Sequence, residues 1–293
     1  MARTQGRPEA LTLPLRHAPW EEHADFAIGL APVDEAGWLE GGEADPAARK
    51  DPLLAAHPDI VWAETPASRP TQQEALALVE AAVGRAAGRP DLPPLLAAAR
   101  LVPDDLVLME KQAGEWRLTA LSLCAPTFFS AAEVIGQSLK ALHGPVTGFE
   151  TRFLRRVVRI FDRLRPGVIL QRRNWTLVNS AEPFAPDAAP IRARIGTIAP
   201  EAAGDALHLR VERQSLRRLP QTGAALFTIR VWLTPLAELS DDPARLSAFA
   251  QAWRGASPEL RAYKKLHLYD ALVETFLRAA GESGAQGRPA SPK

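Results

Sequence analysis

The chain has 293 residues, of which 46% are hydrophobic and 24% charged, a composition typical of a globular protein with a buried core. The formal net charge of +1 argues against a nucleic-acid role for the whole chain, because phosphate binding requires a basic surplus. The single cysteine, Cys124, excludes an intramolecular disulfide, a Cys-ligated iron–sulfur cluster and a structural zinc site.

No targeting or membrane segment is predicted. The start, MARTQGRPEALTLPL, lacks the apolar stretch of a signal peptide, and no run of ~18 apolar residues occurs. We therefore expect a cytoplasmic protein with no membrane partner and no nucleic-acid partner. Cys124 lies in an apolar, strand-like run, which predicts a small buried core residue in preference to a reactive thiol.

Residues 1–100 are rich in Ala, Pro and acidic residues and carry few strand signals. Within them, residues 71–87 have the pattern of a helix that begins at a Thr71 N-cap and ends at Gly88. We expect this region to form a helical arm that packs on the rest of the chain.

Residues 101–240 are expected to form the core. Five segments have strand character: residues 106–110, 116–124, 167–178, 206–216 and 224–233. Two helices are predicted between the second and third strands, over residues 131–143 and 149–164. Residues 241–280 are expected to form C-terminal helices, over 243–253 and 258–280, and residues 281–293 a disordered tail.

This order predicts an α+β fold, with an antiparallel five-stranded sheet and its helices on one side. It is similar to the order of strands and helices in PAS domains, although several unrelated α+β folds share it.

His143 is the clearest candidate metal ligand. It lies one turn after Leu139 on the apolar side of its predicted helix, directly before Gly144 and Pro145. A histidine that faces an apolar pocket can ligate haem iron while the porphyrin packs against aliphatic side chains. The alternative is a core or capping histidine that hydrogen-bonds the end of its own helix, and lone histidines are more often of that kind.

The segment LHLRVERQSLRRL places an arginine at the end of an apolar strand face. Leu209, Val211 and Arg213 share one face, whereas Glu212 and Gln214 lie on the alternate face. An arginine in that position is unfavourable unless it is paired or points into a polar pocket. Arg213 is therefore a candidate for polarising a bound ligand, with Glu212 and Gln214 beside it. The alternative is a strand that reaches solvent near Arg213.

Arginines also cluster on the helix predicted over residues 149–164 and at Arg172 and Arg173. Most such runs are solvated faces, and a smaller share bind phosphates or an acidic partner. In a haem protein, arginines can hold the propionates as charge-assisted pairs. Arg172 and Arg173 are therefore candidate cofactor-binding residues.

Several segments together resemble one family, the haem-binding α subunits of the haem-dependent oxidative N-demethylases. VERQSLRRLPQTGAALFTIRVWLTPL at residues 211–236 is similar to that family's Glu-Arg-Gln-x-Leu-x-Arg-Leu-Pro signature and the Phe-Thr-Ile-Arg strand after it. Shorter likenesses are SLKALHGPVTGF at residues 138–149, RRNW at 172–175, LSLCAPTFF at 121–129 and PLRHAPWEEHADFAIGLAPVDEAGWLE near the start.

The resemblance implies a PAS-like fold that binds haem b, with His143 as the axial ligand and Arg213 on the distal side. It implies that O2 is activated at the haem iron and that a small secondary amine, such as dimethylamine, is demethylated to a primary amine and formaldehyde. Because this chain has one cysteine, a flavin and iron–sulfur reductase has to be a separate partner subunit. Two alternatives share the scaffold: a haem-based gas or redox sensor, and a haem-free interaction module.

Overall fold

The centre of the fold is one antiparallel sheet. The computed structural model describes residues 17–22, 29–143 and 150–286. Seven strands form the sheet, in the order β1-β5-β6-β7-β3-β4-β2. In chain order, the strands are β1 (Ala31–Val33), β2 (Trp62–Glu64), β3 (Asp105–Gln112), β4 (Glu115–Ser122), β5 (Ile169–Val178), β6 (His208–Arg218) and β7 (Ala225–Pro235).

The expected count of five strands is wrong, because the first hundred residues add a short strand at each edge. All five expected strands are present as β3 to β7, and β1 pairs with β5 while β2 pairs with β4. Each added strand has three residues, too few to show the alternation of polar and apolar residues that marks a strand in a sequence. These short strands cover backbone groups that the edges would otherwise leave unpaired.

Thirteen α-helices lie within the described ranges, and none of them is long and apolar enough to cross a membrane. They are α1 (Pro19–Glu22), α2 (Pro46–Ala56), α3 (Pro58–Val61), α4 (Arg69–Val83), α5 (Pro94–Ala99), α6 (Ala131–Val134), α7 (Leu139–His143), α8 (Glu150–Arg163), α9 (Ala189–Ala193), α10 (Ala203–Ala206), α11 (Pro243–Gly255), α12 (Pro258–Lys264) and α13 (Asp270–Gln286).

Residues in the left-handed region shorten three of the predicted helices. Helix α4 stops at Gly84 (φ 69°), four residues before the predicted stop at Gly88. The predicted helix 131–143 is two short helices, α6 and α7, because Gly136 (φ 75°) interrupts it. Likewise, Lys265 (φ 55°) divides the predicted helix 258–280 into α12 and α13. The predicted disordered tail partly falls in α13, and residues 287–293 lie outside the described part.

Strand alternation gives the sheet two faces that are covered by different elements. The arm face, which carries Leu106, Leu226 and Val211, packs against α4, α5 and the C-terminal helices in two hydrophobic clusters. The insert face, which carries Val107 and Leu216, packs against the helices α6 to α8 inserted between β4 and β5. Helices therefore lie on both faces of the sheet, so the expectation of helices on one side only is wrong. The helices inserted between β4 and β5 do lie together on one face, as expected.

Two buried side chains illustrate how the core is built. Trp38, fully buried, donates from its indole Nε1 to Ser215 Oγ (3.0 Å) and fastens the arm to the arm face. Cys124 is 1% exposed, and burial, with the nearby Asp105 carboxylate, raises the pKa of its thiol to about 11. The thiol is protonated at neutral pH, so the prediction of a buried core cysteine is confirmed.

Candidate functional site

The middle of the insert face carries an apolar row that no core cluster uses. On β7, Ile229, Val231 and Leu233 point to this face and are half-buried. Of the three hydrophobic clusters found in the described part of the chain, none includes them. Their register partners on β6 are polar, since Gln214 pairs with Ile229 and Glu212 with Val231. An open apolar row therefore lies beside a polar row at the centre of the sheet.

The polar row is a continuous hydrogen-bonded network around Glu212, whose side chain is 14% exposed. Its Oε1 accepts from Thr127 Oγ1 (3.1 Å) and from Arg210 Nε (3.2 Å). Its Oε2 accepts from Gln214 Nε2 (3.0 Å), and Gln214 Oε1 accepts from Arg172 Nε (2.7 Å). Because a carboxylate offers about four acceptor positions, Oε2 retains one after the bond from Gln214.

Arg210 is the residue that makes this network rigid. It is 2% exposed, and its Nη2 donates to the Ala125 carbonyl (2.6 Å) while its Nη1 donates to the Pro183 carbonyl (3.2 Å). The same guanidinium is the counter-charge of Glu212. Arg210 thus ties two loops to the sheet and holds the carboxylate in one position.

The loop that supplies Thr127 has an unusual backbone. Phe128 has φ 66°, a region that bulky residues rarely adopt, and its N–H donates to the Ala185 carbonyl (2.8 Å). The Arg192 guanidinium lies 5.0 Å from the centre of the Phe128 ring. Such a conformation persists only where the surroundings enforce it, so the contacts of Phe128 hold the backbone of this loop in place.

The electrostatics of the network keep Glu212 ionised. Burial by itself raises the pKa of this carboxyl, but the charge and hydrogen bond of Arg210, with hydrogen bonds from Thr127 and Gln214, outweigh it. The pKa of Glu212 is therefore lowered below its ordinary value of 4.5. At neutral pH the site holds a buried carboxylate.

This lowered pKa predicts a pH dependence of stability. Glu212 contributes stability that is fully present above its unfolded-state pKa and is lost as the pH falls through its lower folded-state pKa. Glu212→Gln should therefore show a flatter loss of unfolding free energy than the natural protein over that acidic range. Urea unfolding at several pH values measures this difference, and parallel curves for the two proteins would contradict it.

Arg172 places a second charge at the edge of the apolar row. It is half-buried, and burial lowers the pKa of its guanidinium while Tyr263 and Glu212 act in the opposite sense. Within the described residues, the Arg172 side chain makes one hydrogen bond, to Gln214. Its guanidinium is of the kind that binds an anionic group through charge-assisted hydrogen bonds.

The predicted site residues divide between the two faces of the sheet. Glu212, Gln214 and Arg172 meet on the insert face, whereas Arg213 and Arg173 lie on the arm face. His143 is the last residue of α7, a helix that packs on the insert face through Leu139, but the His143 side chain lies outside the described residues. Of the six predicted site residues, Glu212, Gln214 and Arg172 therefore lie together on one face of the sheet.

On the arm face, three arginines from adjacent strands stand side by side. Arg213 on β6 is directly opposite Arg173 on β5 and Arg230 on β7. Like charges in register are unfavourable unless counter-charges are present. The arm and the residue directly before β3 supply these counter-charges, which explains why the row can be buried.

Carboxylates from outside the five long central strands neutralise most of this row. The fully buried Arg213 pairs through Nη2 with Asp104 Oδ1 (3.0 Å) and through Nη1 with Glu40 Oε1 (3.2 Å). Arg230 pairs through Nη1 with Glu43 Oε2 (3.2 Å). Arg213 is therefore engaged in fastening the arm, on the face opposite to Glu212.

Sequence reasoning missed Arg210 and Thr127 as members of the site. The sequence contains a signal for Arg210, because residues 210, 212 and 214 are spaced two apart along β6 and therefore lie on one face of the strand. No such signal existed for Thr127, which is 85 residues from Glu212 in the sequence.

The described residues of the insert face include residue types that a haem site would use. A buried porphyrin needs an apolar surface, an axial ligand and cations for its propionates. The β7 row supplies the first, α7 ends in His143, and Arg172 supplies a cation on the same face. Arg173 does not fit the same role because it lies on the arm face. Across the described ranges, no group of three His, Cys, Asp or Glu side chains is arranged to hold a bare metal ion.

Comparison with known families identifies a family model that covers this part of the chain. Residues 80–273, more than half of the chain, match the family model described as haem-dependent oxidative N-demethylase, alpha subunit-like. The matched region contains the five long strands, α7 and the whole Glu212 network. The chain therefore belongs to the haem-dependent oxidative N-demethylase, alpha subunit-like family.

Proposed function

We propose that this chain binds haem b on the insert face and acts as the haem-carrying subunit of an oxidative N-demethylase for a small secondary amine, working with a separate reductase subunit. The observation that carries the proposal is the buried, ionised Glu212 beside an open apolar row. Family membership supports the cofactor and the reaction class. The fold supports a PAS-like arrangement, since the five long strands occur in the chain order predicted for it.

The residues of the insert face divide the binding of haem among them. His143 at the end of α7 would ligate the iron, and the half-buried side chains of β7 would provide apolar contacts to the porphyrin. The terminal amino groups of Arg172 are the proposed partners of a propionate. When bound, haem supplies the oxygen activation and electron transfer that oxidative demethylation requires.

Glu212 is the proposed binding group for the amine. A small secondary amine is a cation at neutral pH, and a buried carboxylate provides the counter-charge that such a cation needs in a water-poor site. The remaining acceptor position on Oε2 can take an N–H hydrogen bond, while the methyl groups contact the apolar row. Because its pKa is lowered, Glu212 binds the ammonium as a counter-ion and is a poor proton acceptor.

The other members of the network hold Glu212 in place. Gln214 links Glu212 to Arg172, so the amine site and the proposed propionate site are joined by two hydrogen bonds. Arg210 and Thr127 fix Oε1 and leave Oε2 for the substrate. Under this proposal Arg213 is a structural residue, in contrast to the distal role that the resemblance implies for it.

The test is a dimethylamine titration of the haem-loaded protein, followed by its absorption spectrum. We expect a saturable spectral shift that Glu212→Gln weakens by about tenfold or more, as for a buried charge pair, with unchanged haem content. The matched control is Glu259→Gln, the same change at an exposed carboxylate of α12. An unchanged amine affinity in Glu212→Gln would contradict the assignment. A spectral shift without any formaldehyde in the presence of O2 and a reductant would favour the sensor alternative.

A further inference from the structure

Helix α8 carries exposed arginines that the described part of the chain does not neutralise. The exposed members are Arg155, Arg156, Arg159, Arg163 and, just after the helix, Arg165. Among the described residues, none of their side chains takes part in an ion pair or a hydrogen bond. The one carboxylate in the described side chains of the helix, Asp162, is engaged by Lys111 Nζ (2.7 Å) and Trp116 Nε1 (2.9 Å).

This arrangement is unfavourable for the chain by itself. Arg155, Arg159 and Arg163 follow one another at intervals of four residues, which places like charges side by side on the helix surface. Each such pair destabilises a helix, and only the last turn is compensated by the helix dipole. A negatively charged binding partner would reverse this effect.

An open groove of about 430 Å³ runs along α8, and its lining residues in the described part of the chain all belong to this helix. Half-buried Leu154 and Val158 form an apolar row that Asp162 continues, and Arg155, Arg159 and Arg163 form the neighbouring row on the helix. Apolar side chains next to arginines are a composition that protein–protein interfaces favour.

We propose that the α8 groove docks an acidic surface of a partner protein, whose carboxylates pair with the arginines while an apolar side chain contacts Leu154 and Val158. A protein fits better than a nucleic acid, because Leu154 and Val158 offer an apolar contact and the pI of the whole chain is about 8.0, below that of typical nucleic-acid-binding domains. The inference goes beyond the proposed function, and it holds whether or not the insert face binds haem.

The test measures binding of a small acidic protein, a plant-type ferredoxin, to the full chain at low and at physiological ionic strength. We expect saturable binding that salt weakens, and a loss of about tenfold or more in the triple variant Arg155→Glu, Arg159→Glu, Arg163→Glu. The matched control is Arg194→Glu, Lys265→Glu, Arg278→Glu, which makes the same charge change at exposed positions elsewhere and should alter binding less than about threefold.

Three outcomes would overturn the proposal: no binding of the ferredoxin, equal weakening in both triple variants, or stronger α8-dependent binding of duplex DNA or phosphatidylserine vesicles. Far-UV circular dichroism verifies that each variant is folded. If the glutamate variant is not, the glutamine variant at the same three positions replaces it. Haem binding is read separately from the absorption spectrum, so failure of the docking proposal is distinguishable from failure of the haem proposal.

Discussion

Replacing His143 with glycine should abolish stoichiometric haem binding. A porphyrin held by apolar contacts and one propionate pair loses its only proposed iron–protein bond when the imidazole is removed. Absorption titration with hemin should then show weak, non-saturable binding in place of a one-to-one complex. Added imidazole should restore part of the spectrum, because it can occupy the space that the side chain leaves.

The matched control for this variant is His267→Ala, the loss of an exposed histidine near α12. It should bind haem as the natural protein does. A His143→Gly protein with an unchanged Soret spectrum would show that another residue ligates the iron. Rescue by imidazole separates loss of the ligand from loss of the fold, since a misfolded protein would not respond.

Replacing Arg213 with alanine should reduce the free energy of unfolding by about 3–5 kcal/mol, the usual effect of breaking a buried ion pair. The variant leaves Asp104, which is fully buried, without its charged partner, and it releases Glu40 of the arm. The double variant Arg213→Ala, Asp104→Ala should be less destabilised than the sum of the two single variants, because no buried charge remains unpaired. Urea unfolding measures all three.

The matched control here is Arg254→Ala, which breaks an exposed pair with Glu274 and should change stability by less than about 1 kcal/mol. The folded fraction of Arg213→Ala should still bind haem and dimethylamine, because the lost pair lies on the face opposite to Glu212. A stable Arg213→Ala protein with altered ligand spectra would instead support the distal role implied by the family resemblance.

The long strands and the faces of their side chains were predictable from the sequence, whereas the partners of those side chains were not. Alternation along β6 correctly separated Arg213 from Glu212 and Gln214. It did not show that Asp104, 109 residues away in the sequence, neutralises Arg213. The sequence left open whether Arg213 points into a polar pocket or reaches solvent, and the tertiary structure shows that it is buried and paired with Asp104.

The errors in the elements have local causes. Strands β1 and β2 are too short to carry a periodic pattern, and they form because the edges of a larger sheet are available to them. Two helices were predicted with the wrong bounds. Helix α4 ends at Gly84 and not at Gly88, and Gly136 divides a segment whose apolar spacing fits one continuous helix. A sequence pattern identifies residues that can adopt positive φ, but packing decides which of them do.

The most direct test of the account is the absorption spectrum of the purified chain during titration with hemin, recorded in the ferric, dithionite-reduced and CO-bound forms. The account predicts a saturable one-to-one complex with the Soret band of a histidine-ligated haem and a further shift on addition of dimethylamine. A spectrum that remains that of free hemin at every ratio would contradict haem binding on the insert face. The seven-stranded fold would stand, and the interaction-module alternative would then be favoured.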